Sequence, residues 1–457
     1  MFRATLRPLC GWLMAASLLS PAAQAMSFHE AYEAARVNDA QYRAAGHELE
    51  ANRLAVPVAR AALLPNVSLN ASQSEVEGWR KSRNSNNQDM RLRLEYTAPQ
   101  ASLGMRMPII NRELGVRVEQ AGAQAEFAEF QYQLRGNDLI DRLATAYLTV
   151  LLMEDTRSQV HKLVASLTQQ VQQAEQRLAR GEGTRVEVAR GQAELDLAKV
   201  RVLEADDQVL LARRQLQRLT GQPLTQALQL PAVFEPAPLE PQGLFAWLEL
   251  AHRQNPGLKA REQSFEVAKL GVKRNRAAHL PRLDLVASYS QNENESVSNL
   301  GQSTTQRSIG VQLSIPIYSG GGVEASVRQA LADRARAEEE IRQERENVEI
   351  EVQRQYQFTQ NGVERIKAQE RAVASAELAV TGMRRALEGG VGTTGELADA
   401  LSRSYTAQRE LSQARVDYLM ARTRLMLSAG FGMTEVAQEL DRLLAMAPAA
   451  PTTTAEK

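Results

Sequence analysis

The residues best placed to do chemistry in this chain are carboxylates beside two glycine turns. Glu187 follows Gly181-Glu182-Gly183-Thr184, and Glu396 and Asp399 follow Gly390-Val391-Gly392-Thr393. A spacing of three sets Glu396 and Asp399 on one face of a helix that starts at the turn, where negative charge is favoured by the helix N-terminus. Their chemistry is that of fixed charge. No Ser/His/Asp arrangement, phosphate loop or paired-carboxylate pocket is present, so no enzymatic reaction is expected. His29, His47, His161, His252 and His279 lack metal-ligand spacing, and the one cysteine is Cys10. Neither a metal nor another cofactor is therefore expected.

The two turns look alike because the chain is written twice. Ala61-Ala62-Leu63-Leu64-Pro65 answers Ala277-Ala278-His279-Leu280-Pro281, a displacement of 216 positions; from Gly183 to Gly392, and from Tyr147/Tyr356 through Gly221/Gly430, the displacement is 209. The second copy is thus shorter by about seven residues, a difference expected to lie wholly between Ser72 and Met105, because loops tolerate length changes that packed elements do not. Self-similarity on this scale constrains architecture more than any single residue.

Residues 1–25 read as a signal peptide: Arg3 and Arg7, an apolar run from Leu9 to Leu19, then Ala23-Gln24-Ala25. Cys10 falls inside that leader, ahead of most of its apolar run, which is a poor context for lipidation. The whole sequence carries 54 basic and 54 acidic residues, giving no electrostatic footprint for nucleic acid. Aromatic residues are 5% and mean hydropathy is −0.36, which suits long Ala/Gln/Glu/Arg helices better than a large apolar core. Beyond the leader no apolar stretch approaches the roughly 20 residues of a spanning helix, so any membrane crossing must use strands.

Five segments follow: 1–25, the leader; 26–221, the first repeat; 222–242, a connector held extended by five prolines; 243–432, the second repeat; and 433–457, a short helix from Thr434 to Met446 and a disordered tail. Within a repeat, helix-forming sequence from Phe28 to Leu64, interrupted only by Pro57, ends at Pro65. Alternation then places Val67, Leu69 and Ala71 opposite Ser68, Asn70 and Ser72. Glu75 to Asp89 reads as a solvated loop containing Trp79, after which Met90, Leu92, Leu94 and Tyr96 alternate with Arg91, Arg93 and Glu95. In copy two the corresponding loop runs from Gln291 to Gln306. If the apolar side meets lipid, Arg91 and Arg93 face a lumen; alternatively they stand on strand extensions beyond the membrane. Trp79 and Trp247 read as loop and packing residues.

Past Pro108 and Pro316 the period changes. Val160, Val164, Leu167, Val171, Ala174 and Leu178 are spaced alternately by four and three, and Leu195 to Leu219 continue the rhythm after the turn, which is a coiled-coil seam on both arms of a hairpin. Glu113 to Arg180 makes a helix of roughly 100 Å, against roughly 55 Å each for Arg185 to Gly221 and Phe28 to Leu64, so two short helices stacked end to end match one long one. Two strands per copy give four per chain, too few to close a barrel, and an open sheet in lipid leaves costly unpaired edges. Three chains supply twelve strands and twelve helical columns, a β-tube continuing into an α-tube.

The tandem copies, the Ala-Ala-Leu-Leu-Pro65 and Ala-Ala-His-Leu-Pro281 helix ends, the Met-Pro108-Ile and Ile-Pro316-Ile strand ends and the Gly-x-Gly-Thr tips together resemble the TolC-like family of bacterial outer-membrane exit ducts, from about Ser27 to Gly432. The resemblance implies a mainly α fold with a transmembrane β portion: a homotrimeric α-barrel/β-barrel duct, with four strands and long antiparallel coiled-coil helices per protomer. It implies an outer-membrane position among lipid, a long periplasmic extension, a periplasmic adaptor protein and an inner-membrane transporter. Gly181, Gly183, Thr184, Gly390, Gly392 and Thr393 become adaptor-docking tips. Glu396 and Asp399 fall on the family's acidic entrance rings, with Glu187 matching at the first tip. Six such carboxylates in a narrow mouth should repel one another, raising some pKa values, favouring cations and inviting block by multivalent metals. The family's latching tyrosine and arginine correspond here to Leu387 and Gly392, so that latch is absent.

Asn52-Arg53-Leu54-Ala55-Val56-Pro57 through Pro65 resembles the type I secretion branch, in which an ABC transporter drives protein export. The alternative is the outer-membrane component of a multidrug efflux pump driven by a proton-coupled transporter. Heptads alone also suit a periplasmic coiled-coil adaptor or rod; the strands and the Pro108 and Pro316 junctions discriminate against it.

Overall fold

The computed structural model describes residues 26–445 apart from 84–86, 225–227, 229, 232–233 and 297–298. The leader, Met446 and the whole of the tail expected beyond it lie outside the described residues. The helices are α1 (Phe28–Asn38), α2 (Ala40–Ala61), α3 (Arg112–Ala179), α4 (Arg185–Thr220), α5 (Leu244–Gln254), α6 (Pro256–Ala277), α7 (Gly322–Glu388), α8 (Thr394–Ala429) and α9 (Met433–Ala445). The strands are β1 (Asn66–Arg83), β2 (Asp89–Ile110), β3 (Arg282–Ser296) and β4 (Asn299–Ser314), paired antiparallel in the order β1-β2-β3-β4.

Three expectations need correction. The first helix is broken at Asp39, not at Pro57. The Asp39 carboxylate accepts the Tyr42 amide proton at 2.8 Å and caps α2, whereas Pro57 lies on an exposed face inside α2. Asn255 performs the same cap for α6, with Pro256 in the first turn. The polar stretches expected as loops are mostly strand: β1 reaches Arg83, β2 starts at Asp89, β3 reaches Ser296 and β4 starts at Asn299. An antiparallel ladder satisfies its amides whatever the side chains are, so polar composition does not end a strand that water surrounds. Finally, the length difference does not fall wholly among the strands. Pro108 and Pro316 are 208 apart, so the strands lose one residue more than expected and the Ile317–Gly321 turn before α7 regains it.

The expected end-to-end stacking holds in altered form. The Asn38 amide donates to the Arg218 and Leu219 carbonyls at 3.2 and 3.1 Å, and the Asn255 amide to the Ser428 carbonyl at 2.8 Å. The C-terminus of α4 therefore abuts the α1/α2 break, and that of α8 the α5/α6 break. It is α2 that continues the α4 column, while α1 and α5 turn aside. Together with α9 they cover the middle of α3 and α8, burying Phe28, Tyr32, Leu143, Trp247, Tyr418 and Leu440. The connector packs on this belt, with Arg422 donating to the Ala237 and Pro238 carbonyls at 2.7 and 3.2 Å and Trp247 to the Pro241 carbonyl at 2.8 Å.

Candidate functional site: the strand wall and the hairpin tips

The β1–β2 register runs without a shift from Asn66 opposite Arg106 to Arg83 opposite Asp89. Side chains of one parity therefore keep one face along the whole hairpin. Near the helices one face carries Val67, Leu69 and Leu103, continued by Ile309, Val311 and Leu313, all exposed. The other carries Ser68, Asn70, Ser102 and Gly104. Tyr96, Ala98, Ser102 and Gly104 are half-buried while Glu95, Thr97, Ala101 and Leu103 are exposed, as a sheet curled with the polar row inside requires. The apolar face is therefore convex and meets lipid; the polar face lines a lumen.

Arg91 and Arg93 share the convex face with Leu103. They do not point into the lumen, and since they share the lipid-facing side they must stand on the strand extension beyond the membrane. Trp79, opposite Arg93 and 70% exposed, lies on a strand rather than in a loop. On the lumen side at the barrel's base Arg106 pairs with the buried Asp284 at 2.6 Å, and beside it Arg282 pairs with Glu113 at 2.7 Å.

At the other end of the long helices both hairpins reverse in the same way. Gly181 and Gly390 adopt φ of +79° and +75°, a left-handed conformation that costs glycine nothing. Gly183 and Gly392 serve a different need: a Cβ there would approach the Leu178 or Leu387 amide nitrogen to 3.2 or 3.1 Å. Thr184 and Thr393 then cap α4 and α8. The Glu187 amide donates to the Thr184 hydroxyl at 3.2 Å while the Glu187 carboxylate accepts the Thr184 amide proton at 3.0 Å; Thr393 and Glu396 repeat this at 3.2 and 2.9 Å. These are reciprocal capping boxes. Glu187 and Glu396 thus stabilise the turns in which they sit.

The Thr393 amide and hydroxyl hold the Glu396 carboxyl below the ordinary carboxylate range. Within one protomer this runs opposite to the upward shift expected from ring repulsion, because the local cap favours the charged form. Asp399 faces the other tip, its carboxylate 3.6 Å from Arg190 of α4. Leu387 is buried with Leu167, Val171, Leu195, Leu397 and Leu401 in a cluster that joins the two hairpins. Gln170 of α3 donates to the Thr394 carbonyl. A groove of about 470 Å³ runs between the tips, lined by Arg177, Arg180, Arg384, Glu182 and Glu388.

Arg190 escaped the sequence reading, although one signal was available. Gly395 falls in the first turn of α8, where the other repeat has Val186, and a helical glycine with no turn to make implies close approach. A Cβ at Gly395 would lie 2.5 Å from the Arg190 guanidinium. Among the described residues no group of three or more His, Cys, Asp or Glu side chains is arranged to hold a metal, and no helix is long and apolar enough to cross a membrane.

A family model described as outer membrane efflux protein matches residues 31–222 and 247–431. The chain is 30% identical over 440 residues to the proteases secretion protein PrtF of Dickeya chrysanthemi, spanning 95% of this chain and 94% of that one. It is 32% identical over 431 residues to the alkaline protease secretion protein AprF of Pseudomonas aeruginosa, spanning 93% and 89%. Among solved structures, the outer membrane protein VceC of Vibrio cholerae matches with a TM-score of 0.73 at 19% identity, over 89% of this chain and 96% of that one. That likeness concerns the fold.

Proposed function

Because the chain belongs to the outer membrane efflux protein family, we propose that it is the outer-membrane exit duct of a three-part export system, and that an inner-membrane ABC transporter drives protein through it. The observation that carries the choice of cargo is similarity over nearly the whole chain to two relatives named for protease secretion. Solved channels of the same fold leave multidrug efflux as the second reading. The chain supplies a passage and no reaction: energy comes from the transporter, and a periplasmic adaptor couples the two at the hairpin tips.

The protomer is a strip with two unfinished edges. Among the described residues β1 and β4 end the sheet, each lacking a neighbour on one side. Along the same edges α4 exposes Leu203 and Leu210, and α7 exposes Ile350. Pairing β1 with β4 of the next copy, and α2/α4 with its α7, closes the ladder and covers these side chains, so three copies form one tube. The four convex apolar runs set the tube in the outer membrane, and α3 and α7 carry it roughly 100 Å into the periplasm.

At the mouth, three copies of Glu396 and Asp399 favour cations and offer a site for multivalent block. The direct test is reconstitution. A heat-sensitive trimer extracted only by detergent, conducting ions across planar bilayers, is expected; a monodisperse water-soluble product would overturn the reading.

A further inference from the structure

Beyond the lipid the convex face changes character. The last apolar rung of the first hairpin is Ala71 opposite Ala101. Farther out the same face places Glu77 opposite Glu95, Trp79 opposite Arg93 and Lys81 opposite Arg91. Ten residues separate Ala71 from Lys81, about 34 Å along a strand and about 25 Å of height at ordinary barrel tilt. Like charges directly opposite one another destabilise a ladder. Arg93 is neutralised by Glu95 at 3.1 Å, and Arg83 by Asp89 at 3.0 Å, but Lys81 and Arg91 have no ionic partner among the described residues. They form a cation pair that an external anion would stabilise.

A second cation lies lower. On β4 the convex apolar run Leu313, Val311, Ile309 ends at Arg307, whose guanidinium stands 5.5 Å from the ring centre of Tyr289, an aromatic side chain at the membrane edge. Closure of the tube brings β4 of one copy beside β1 of the next. Arg307 and Lys81 then sit on adjacent strands at two heights, with Glu75 and Glu77 between them. That carboxylate band disfavours a continuous anionic surface and suits two separated anionic groups. An ordinary phospholipid headgroup layer is about 5–8 Å deep, too shallow to reach from one cation level to the other.

We propose that the convex face of the first hairpin is a binding site for the phosphorylated oligosaccharide headgroup of an outer-leaflet glycolipid. Lys81 and Arg91 take a phosphate on the sugar chain, Arg307 of the neighbouring copy takes one at the membrane edge, and Trp79 packs on a sugar face. The inference rests on the trimeric duct reading. Ligand chemistry follows from charge and height: phosphate is the strong partner of closely paired cations, and the site continues a surface already facing lipid.

The test uses the trimer in nanodiscs of neutral phosphatidylcholine, with native mass spectrometry reading bound lipid. The probes are lipopolysaccharide carrying phosphorylated core sugars, the same lipid after dephosphorylation, phosphatidylglycerol and inorganic phosphate. Wild type is expected to retain the phosphorylated glycolipid. The Lys81→Gln/Arg91→Gln variant should bind it about tenfold more weakly, the loss expected when charge-assisted hydrogen bonds are removed. Arg80→Gln removes a charge from the opposite face and should change nothing. Equal binding by wild type and the double variant, equal loss in Arg80→Gln, or displacement by phosphatidylglycerol or inorganic phosphate at matched concentration would overturn the proposal. Failure of any sample to form a heat-sensitive trimer would count against the duct reading instead, so the two failures are distinguishable.

Discussion

Arg190 and Asp399 occupy the same position in the two repeats, 209 residues apart, and pair with each other across the hairpin tips at 3.6 Å. Duplication gave the two tips one geometry, and opposite charges at this one position bind the first tip to the second. The Arg190 guanidinium lies over Gly395, where no side chain intrudes. This contact, the Leu387 cluster and the Gln170–Thr394 hydrogen bond join the two hairpins near their tips.

Breaking that pair should loosen the mouth. An exposed ion pair contributes about 0.5 kcal/mol, so three copies acting together shift a closed–open balance by about tenfold. Arg190→Gln and Asp399→Asn are each expected to raise single-trimer conductance, and the swap Arg190→Asp/Asp399→Arg to restore part of the closure. Asp399→Asn should also weaken multivalent-cation block, which Arg190→Gln leaves intact. Unchanged conductance in both single variants would show that the pair does not hold the tips.

The capping carboxylate at the second tip has a signed pH dependence. Because the folded state holds Glu396 below its ordinary pKa, its contribution is complete above the unfolded value near 4.5 and is lost as pH falls through the lower folded value. Hydrogen exchange at the Glu396 and Leu397 amides should therefore be flat, after correction for intrinsic rates, from pH 8 to about 5 and should accelerate below about 4. Glu396→Gln, which can still close the capping box, should keep the protection and lose its pH dependence. Protection that rises on acidification would refute this.

Asp39 bears on stability in the same sense. Burial opposes its ionisation, but the hydrogen bonds from Arg142 at 3.0 and 3.2 Å and from the Tyr42 amide prevail and hold the carboxyl below its usual range. Its contribution is thus present above about pH 4 and is lost as pH drops further. Asp39→Ala removes a helix cap and one of the two carboxylates on the half-buried Arg142, which keeps Asp138 at 2.9 Å, at a cost of about 1–3 kcal/mol. Thermal unfolding of the detergent-solubilised protein should show a clear fall in Tm at pH 7; an unchanged Tm would contradict the role.

The unfinished edges predict an assembly phenotype. Leu203→Asp on α4 or Ile350→Asp on α7 places a carboxylate where the next copy must pack, and the heat-sensitive trimer band should give way to monomer on unheated gels. Phe245→Asp, more exposed still but on α5, should leave the trimer intact. Loss of the trimer in all three variants would mean that the edges were misplaced.

Much of this was legible because duplication and periodicity are long-range signals. Val160 to Leu219 repeat every three and four residues, and the structure buries Val160, Leu167, Val171, Leu195, Val209 and Leu216 accordingly. Alternation at Val67 to Ser72 marked the strand but not its end, since Glu75 to Arg83 satisfy their backbone in a ladder that water surrounds on both faces. The break at Asp39 hid because an N-cap aspartate inside an alanine-rich run resembles any polar helix residue, whereas Asn255-Pro256 announces the same break openly. At the tips Glu187 and Glu396 were visible as acids, but their capping role needed the turn geometry. Arg190 remained hidden because a tertiary ion pair leaves no periodic trace.

The central claim is that this chain is the outer-membrane duct of a protein secretion system. It is tested most directly by deleting the gene and comparing the proteins in the culture medium with susceptibility to drugs. Disappearance of a secreted protein from the medium, restored by the intact chain, with drug susceptibility unchanged, is the expected result. Unchanged secretion together with lost drug resistance would contradict it and make the chain an efflux component.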